Sequence, residues 1–289
     1  MIIIKMQGGL GNQLFQLAAY AKIYETGRDV FLDVSGYNLP KNNGYRKYLL
    51  NYFDSDVPLK LCILYRSPMG FIKKKILNRG IKLFSIRRIS HLYKMNIHHG
   101  LTLSNDMIEI GDNTYVEGFF LNERFFPKNT FIDFKKKCKE IEKVNNLYLK
   151  IKNCNSVSVH IRRTDYLSES EINQYSNICT KEYYNKAISF FNDSNIKYTF
   201  FFFSDDIEWV KKEFNQNNNY YFVEHEDFCD TTISDLFLMS SCKNNIIANS
   251  TYSWWGAYLN NNSKKIVIRP KKYQNNTDED IFPQDWMMV

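Results

Sequence analysis

The feature that most constrains the fold is the alternation of short apolar runs with longer helical patterns. The apolar run of residues 2–6 is followed at once by glycines. Leu14, Leu17 and Ala21 then fall on one face of a helix. A second apolar run follows at residues 29–34. A strand, a glycine turn, a helix and a strand in this order are typical of an α/β unit with parallel strands.

The same alternation restarts in the second half of the chain. Residues 156–161 and 198–204 are apolar runs that predict strands, and a helical pattern follows each of them. A chain of 289 residues is long enough for two domains of ordinary size. We therefore predict two α/β domains, residues 1–150 and 151–289, with a C-terminal tail that returns to the N-terminal domain.

Charge and cysteine content narrow the class of protein. The net charge of +7 fits an anionic substrate, a membrane surface or a nucleic acid without separating them. The six cysteines form no C-x-x-C pair and predict reduced thiols in a cytosolic protein. The N-terminus has no basic region of the signal-peptide type, and no apolar run reaches the ~18 residues of a membrane span. We therefore expect a cytoplasmic protein.

A basic, amphipathic stretch covers residues 67–94. Charge runs of this kind usually form the solvated face of a helix. The alternative is a patch, residues 71–94, that contacts anionic lipid or a lipid-linked acceptor at the inner membrane.

The motif HIRRTDY, residues 160–166, places two adjacent arginines at the end of a predicted buried strand. Ligands of open α/β sheets bind beyond the carboxyl ends of the strands, so Arg162 and Arg163 are aimed at a ligand position. A planar guanidinium can donate two parallel hydrogen bonds to a diphosphate. The alternative is a surface arginine pair that Asp165 bridges.

Residues 7–16, QGGLGNQLFQ, join the first predicted strand to the first helix. Glycines allow the backbone to approach a ligand, and a helix N-terminus offers free N–H groups. Gly9 and Gly11 give G-x-G without a third glycine, and Asp33 lies about twenty residues further on, as a ribose-binding acid would. A nicotinamide-dependent Rossmann oxidoreductase is therefore an alternative, and so is a plain structural turn.

Two further predicted strands also end in polar residues. Asp205 and Asp206 follow residues 198–204 and could either cap the next helix or contact a ligand. Small hydroxyls and backbone amides at a helix start can seat a phosphate. The residues of this kind are Asn249, Ser250, Thr251 and Ser253. Asp235, in the preceding helical pattern, either favours the helix dipole or accepts two N–H donors from one edge of guanine.

Four stretches resemble the motifs of the bacterial α-1,2-fucosyltransferases, glycosyltransferase family 11. They are GGLGNQLFQLAAYA, HIRRTDY, FFSDD and DLFLMSSCKNNIIANSTYSWWGAYL, which together extend over nearly the whole chain. The resemblance implies a GT-B-like fold, with two Rossmann-like domains facing a central cleft. It implies GDP-β-L-fucose as the donor and the 2-hydroxyl of a terminal β-galactoside as the acceptor. It also implies inversion at the anomeric carbon, with no metal and no cofactor.

The resemblance further implies roles for individual residues. Arg162 would meet the diphosphate, and Arg163 and Asp165 would hold it in place. The other residues implied on the donor side are His160, Asp205, Asp206, Asp235, Asn249, Ser250, Thr251 and Ser253. The residues implied on the acceptor side are Gly9, Gly11, Asn12 and Gln13. The general base is unassigned, and the candidates are Asp33, Glu117, Glu169 and Glu171.

Three classes of function are therefore compared. The missing third glycine and the double arginine count against the NAD-dependent oxidoreductase. A basic nucleic-acid-binding protein would use residues 73–94, which contain no known recognition motif. The fucosyltransferase is favoured, with no nucleic-acid partner. Its role would be decoration of a surface polysaccharide such as the O-antigen, on an acceptor that is lipid-linked at the inner membrane.

Overall fold

The computed structural model describes residues 1–37, 46–62, 96–98, 111–128, 132–135, 142–169, 171–214, 217–224, 230–277 and 280–289. The chain divides into two compact units, Met1–Asp133 and Phe134–Val289. The basic stretch of residues 67–94 lies outside the described residues, as do Cys138 and Cys229. The four described cysteines are free thiols, as expected.

The first unit is built on a parallel sheet. The strands up to the end of this unit are β1 (Ile2–Lys5), β2 (Val30–Asp33), β3 (Phe53–Ser55), β4 (Leu61–Cys62), β5 (Asn96–His98), β6 (Thr114–Val116) and β7 (Ile132–Phe134). Five of them form the sheet in the order β4-β2-β1-β6-β5, and β3 pairs separately with β7. Helix α1 (Leu10–Glu25) follows β1, as the first apolar run and helical pattern predict. Because Ile2 and Ile4 are both fully buried, the central strand reads as a continuous apolar run.

The second unit is also built on a parallel sheet. Its strands are β8 (Asn155–Ile161), β9 (Tyr198–Ser204), β10 (Tyr220–Phe222), β11 (Asn244–Ile246), β12 (Val267–Arg269) and β13 (Met287–Met288). Its helices are α2 (Glu142–Lys152), α3 (Ile172–Tyr175), α4 (Lys181–Asn192), α5 (Ile207–Glu213), α6 (Thr231–Ser241) and α7 (Thr251–Tyr258). The strand order is β10-β9-β8-β11-β12-β13. The α/β class is confirmed in both units.

Strand alternation sets the core of the second unit. Val157, Val159 and Ile161 of β8 pack in one apolar cluster with Phe200 and Phe202 of β9. The alternate residues of β8 therefore point to the opposite face, as the period of two predicts. Paired along seven residues, β8 and β9 end together, so their carboxyl ends share one edge of the sheet.

The two compact units do not divide at the predicted residue 150. Helix α2 belongs to the second unit because the ring of Tyr148 stacks on that of Phe237, with centroids 5.4 Å apart. The division therefore follows Asp133 rather than residue 150. The C-terminal tail has partners within the second unit: β13 pairs with β12, and Trp286 packs 5.3 Å from Trp254, centroid to centroid. Among the described helices, none has the length and apolar character needed to cross a membrane.

Candidate active site

Three polar loops meet at the carboxyl edge of the second sheet. Strands β8, β9 and β11 are neighbours in the order β9-β8-β11, and all three are parallel. They lead into Arg162, Asp205 and Asn249 respectively. The sheet therefore gathers motifs that are far apart in the sequence, at the edge where α/β sheets bind ligands.

Arg162 is held by two carboxylates and stays partly exposed. Its Nε and Nη2 donate to the two oxygens of Asp165 at 2.8 and 2.6 Å, and its Nη1 lies 3.3 Å from Oδ2 of Asp205. Burial lowers the pKa of Arg162, but the bonds to Asp165 and the charge of Asp205 outweigh it and leave the pKa raised. The bonds to Asp165 use two of the five N–H donors of the guanidinium. Its side chain is 22% exposed, so the remaining donors can meet a ligand.

Arg163 has a different environment. Its guanidinium carbon lies 3.8 Å from the centroid of the Trp209 ring, and its Nε donates to Asp206 at 3.2 Å. A cation over a tryptophan face and beside a carboxylate is well stabilised where it is. Asp165 thus pairs with Arg162, whereas the guanidinium of Arg163 pairs with Asp206.

Asp205 organises the backbone of residues 162–165, here called the arginine turn. Its carboxylate accepts hydrogen bonds from the backbone N–H groups of Arg163, at 2.9 Å, and Thr164, at 3.1 Å. The hydroxyl of Thr164 donates to the same carboxylate. Asp206 caps α5, since its Oδ1 accepts from the N–H of Trp209 at 3.2 Å. The capping role predicted for one of these two aspartates therefore belongs to Asp206.

The arginine turn is neutralised from within the protein. Three carboxylates, those of Asp165, Asp205 and Asp206, lie against the two guanidiniums. An anionic ligand therefore does not meet a bare pair of cations. It meets the unused donors of a guanidinium whose orientation is already fixed, which lowers the cost of ordering the site on binding.

Asn249 is part of the scaffold of this edge. It is 2% exposed, and its side-chain nitrogen donates to the carbonyls of Tyr175 and Tyr273, both at 3.1 Å. The amide therefore ties the loop after β11 to two neighbouring segments. These bonds occupy the side-chain N–H groups that Asn249 would otherwise donate to a phosphate.

The start of α7 follows Asn249. Ser250 caps the helix by accepting from the N–H of Tyr252 at 3.3 Å, and Ser253 is buried with its hydroxyl bonded to Ala248 and Ser250. Thr251 is half-buried and opens the helix. Of the residues predicted to seat a phosphate here, Thr251 is therefore the best exposed, and the backbone N–H groups of the first turn accompany it.

His160, two residues before Arg162, is a buried and neutral histidine. It is 4% exposed, and its ring centroid lies 5.4 Å from that of Tyr252. Burial, and then the charge of Arg162, lowers the pKa of His160 from 6.5 to about 4. Its Nδ1 takes no hydrogen bond within the described part of the chain. A buried polar atom of this kind suits a ligand that brings a partner.

Asp235 lies one turn inside α6 and is half-buried. The N-cap of this helix is Asp230, whose carboxylate accepts from the N–H of Thr232 at 3.1 Å. Asp235 is therefore not the acid at the helix start. Asp230 was not among the predicted site residues, although an aspartate directly before an apolar helical pattern is the usual N-cap signal.

The glycine loop of the first unit is a tight helix start. Gly8 has a φ of +85°, and a Cβ atom there would lie 2.5 Å from Nδ2 of Asn12. Gly9 is the N-cap of α1, and Gly11 lies inside the helix. The residue whose conformation requires glycine is thus Gly8, which the G-x-G pattern did not single out.

The polar side chain of Gln13, beside this loop, forms hydrogen bonds with backbone groups. Gln13 is fully buried: its Nε2 donates to the carbonyl of Lys47 at 2.8 Å, and its Oε1 accepts from the N–H of Leu49 at 2.9 Å. Asn12, which the resemblance places with Gln13 on the acceptor side, is half-buried. Gln13 therefore braces the loop rather than facing solvent.

Asp33 is also internal. It is 2% exposed, and its two oxygens accept from the N–H of Ser35 at 2.9 Å and from the hydroxyl of Tyr115 at 2.7 Å. This arrangement suits neither a ribose-binding acid nor a general base. Among the other base candidates, Glu117 pairs with Lys5 at 3.0 Å, whereas Glu169 is exposed. Glu171 is half-buried before α3.

Within the described residues, no group of three or more histidine, cysteine, aspartate or glutamate side chains is arranged to hold a metal ion. The carboxylates of Asp165, Asp205 and Asp206 are occupied by guanidinium and backbone donors.

Comparison with known proteins places the chain among glycosyltransferases. An alpha-1,2-colitosyltransferase of Escherichia coli is 34% identical, over 100% of this chain and 98% of that relative. The O-antigen biosynthesis glycosyltransferase WbnK of Escherichia coli is 31% identical, over 98% of both chains. The galactoside 2-alpha-L-fucosyltransferase SEC1 of Bos taurus is 24% identical over 36% of this chain and 28% of that relative.

A similar solved structure and a matching family model support the same conclusion. A crystal structure of POFUT1 in complex with GDP has a TM-score of 0.51 at 10% identity, covering 94% of this chain and 98% of that chain. The likeness supports the predicted GT-B class of fold. The model of the family described as Glycosyl transferase family 11 matches residues 61–289. The chain belongs to glycosyltransferase family 11.

Proposed function

We propose that the protein transfers L-fucose from GDP-β-L-fucose to the 2-hydroxyl of a terminal β-galactoside, with inversion at the anomeric carbon. Membership of family 11 and the similarity to a galactoside 2-alpha-L-fucosyltransferase support this reaction. The observation that carries the proposal is Arg162, whose side chain is 22% exposed at the carboxyl edge of the second sheet and keeps N–H donors beyond those paired with Asp165 and Asp205.

In this proposal Arg162 binds the diphosphate of the donor. Asp165 and Asp205 hold two sides of the guanidinium, so its free edge is already oriented before the donor arrives. The backbone N–H groups at the start of α7, beside Thr251, add hydrogen bonds and the positive end of the helix dipole. Arg163 stays on Trp209 and supports the turn.

The chemistry follows from the charges. As the bond between the fucose carbon and the phosphate oxygen breaks, negative charge grows on the departing GDP. A fixed guanidinium and oriented N–H groups stabilise that charge without reorganising, which is usually the largest contribution to catalysis. The reaction needs no metal ion in this account, and a chelator should leave the rate unchanged.

In this proposal the nucleoside of the donor binds beside His160 and Asp235. Neutral His160 offers Nδ1 as a buried hydrogen-bonding atom. Asp235 carries a carboxylate that can accept two N–H donors from one edge of guanine. We assign the acceptor to the N-terminal domain, with Gly9, Gly11 and Asn12 at the start of α1.

The cellular role is proposed from the relatives and the composition. One relative is named for O-antigen biosynthesis, which supports a role in building a surface polysaccharide. A lipid-linked acceptor on the cytoplasmic face of the inner membrane fits the basic residues 71–94. Co-sedimentation with anionic vesicles tests the membrane contact, and loss of binding at high salt is expected if charge drives it.

The deciding experiment is turnover with a defined donor and a panel of acceptors. GDP-fucose is incubated with lactose, N-acetyllactosamine and a β1,3-galactosyl-N-acetylgalactosamine, with and without EDTA. We expect an α-1,2-linked fucose on at least one acceptor, at the same rate with EDTA. A colitosyl donor is the matched alternative, because one relative is a colitosyltransferase. Turnover of that donor alone would overturn the fucose assignment and leave the family intact.

A further inference from the structure

A tyrosine hydroxyl connects the arginine turn to the loop after β11. The hydroxyl of Tyr166 donates to the backbone carbonyl of Asn249 at 2.8 Å. The ring of Tyr166 stacks on that of Tyr175, with centroids 4.7 Å apart and planes at 14°. Tyr166 directly follows Asp165 in a single 3₁₀ turn, Asp165–Leu167. Its side chain therefore anchors the backbone that carries Asp165.

The acceptor of this hydrogen bond is itself firmly held. The side chain of Asn249 donates to the carbonyls of Tyr175 and Tyr273, and its backbone N–H lies 3.2 Å from the sulfur of Cys179. Asn249 is 2% exposed. A carbonyl fixed on several sides is a rigid reference point for the group that binds it.

The next link is the carboxylate of Asp165. It receives both Nε and Nη2 of Arg162, and this bidentate pairing sets the plane of the guanidinium. Because Asp165 and Tyr166 are adjacent in one turn, a shift of Tyr166 moves the carboxylate and the guanidinium together. A misplacement of about 1 Å in a group that contacts the reacting atoms can cost up to ~10²-fold in rate.

We propose that Tyr166 is a positioning residue, which orients Arg162 through Asp165 by bonding to the carbonyl of Asn249. This inference rests on the proposed function, in which Arg162 binds the donor diphosphate. Tyr166 touches neither donor nor acceptor in this account. Its contribution is to hold the unused donors of Arg162 in the direction of the departing GDP.

The test is a double-mutant cycle on GDP binding. Tyr166→Phe removes the hydroxyl and keeps the ring that stacks on Tyr175. GDP affinity is measured by calorimetry for the unmodified protein, Tyr166→Phe, Asp165→Asn and the double variant. We expect Tyr166→Phe to weaken GDP binding about tenfold and to lower kcat with GDP-fucose by a similar factor, with the KM for the acceptor unchanged. In the Asp165→Asn background the same change should have no further effect.

A matched control separates positioning from general loosening. The hydroxyl of Tyr183, in the same unit, donates to the carbonyl of Ile247 at 2.6 Å and does not contact the arginine turn. Tyr183→Phe should lower the unfolding temperature and leave GDP affinity unchanged. An equal loss of GDP affinity in both variants would show that any buried hydroxyl matters, and would overturn the proposal.

The outcomes distinguish this proposal from the proposed function. If the unmodified protein binds no GDP, the function fails and the positioning role fails with it. If GDP binds but Tyr166→Phe has no effect, or its effect adds fully to that of Asp165→Asn, only the positioning role is overturned. Asp165→Glu, which keeps the charge and displaces the carboxylate, replaces Asp165→Asn in the cycle if that variant does not fold.

Discussion

The two parallel sheets of this protein end in different polar chemistry. At the carboxyl edge of the second sheet, the side chains of Arg162 and Arg163 are 22% and 25% exposed. In the first unit, Gln13 at the start of α1 and Asp33 at the end of β2 are buried. Their polar atoms bond to the backbone and to the hydroxyl of Tyr115. One arrangement leaves donors for a ligand, and the other uses its polar groups to brace the fold.

The comparison shows what distinguishes a binding edge from a scaffold in folds of this type. Topology brings polar residues to the carboxyl edge in both units. The two edges differ in whether a polar side chain keeps hydrogen-bonding groups that are not already bonded to neighbouring residues. Arg162 keeps unused donors after pairing with Asp165, whereas both oxygens of Asp33 are occupied.

The largest effect is expected from Arg162. Replacing it with alanine removes the donors proposed to stabilise the departing GDP, and the rate of fucosyl transfer should fall ~10²–10³-fold. Arg162→Lys should recover little of this loss, because an ammonium lacks the planar fork. Steady-state kinetics with GDP-fucose gives the measurement. Arg28→Ala is the control: Arg28 pairs with the exposed Asp112 at 3.3 Å in the first unit. Equal losses in the two alanine variants would remove the distinction between the units.

A smaller loss is expected from Asp205. Asp205→Asn keeps the shape but removes the charge that accepts from the N–H groups of Arg163 and Thr164. Charge-assisted bonds of this kind contribute ~1.5–3 kcal/mol, so kcat/KM should fall roughly 10–100-fold. Asp29→Asn is matched to it, because Asp29 pairs at 2.7 Å with Lys60 on the exposed surface of the first unit. An Asp205→Asn variant as active as Asp29→Asn would contradict the role of the arginine turn.

Gln13 should affect stability and not donor binding. Gln13→Ala leaves the N–H of Leu49 and the carbonyl of Lys47 without their bonds. We expect the free energy of unfolding in urea to fall by roughly 1–3 kcal/mol, with GDP affinity unchanged. A weaker affinity for GDP together with unchanged stability would mean that the first unit binds the nucleotide.

The pH dependence of stability reports on His160, whose folded pKa is lowered to about 4 by burial and then by the charge of Arg162. The unfolded chain binds a proton near pH 6.5 and the folded chain does so only near pH 4, so the stabilisation is complete above pH 6.5 and is lost as the pH falls. Between neutral pH and about pH 5.5, the free energy of unfolding should fall by about 1 kcal/mol. His160→Asn should flatten this slope, and an unchanged slope would contradict the burial of a neutral ring.

Much of the fold follows from sequence patterns. The alternation in residues 156–161 predicts which residues of β8 meet the core, and Asp206 has the position and chemistry of a helix cap. Strong local signals of this kind survive in the structure because tertiary packing agrees with them. Asp230 carries a capping signal of the same kind, since it directly precedes an apolar helical pattern and is the N-cap of α6.

Other features depend on distances that no local pattern encodes. The bond from Tyr166 to Asn249 spans 83 positions, and the placement of Arg163 on Trp209 requires the pairing of β8 with β9. The burial of Asp33 against Tyr115 is of the same kind. Its spacing from the glycine loop suggests a ribose-binding acid, but Tyr115 of β6, which is separated from β2 by β1, supplies a partner within the core.

The most direct test of the central claim is a crystal structure of the protein with GDP. We predict that the diphosphate lies at the carboxyl edge of the second sheet, with a phosphate oxygen about 3 Å from a guanidinium nitrogen of Arg162. Thr251 at the start of α7 should lie on the opposite side of the same diphosphate. A diphosphate bound instead at Gly8 and Gly9 of the first unit would contradict the account.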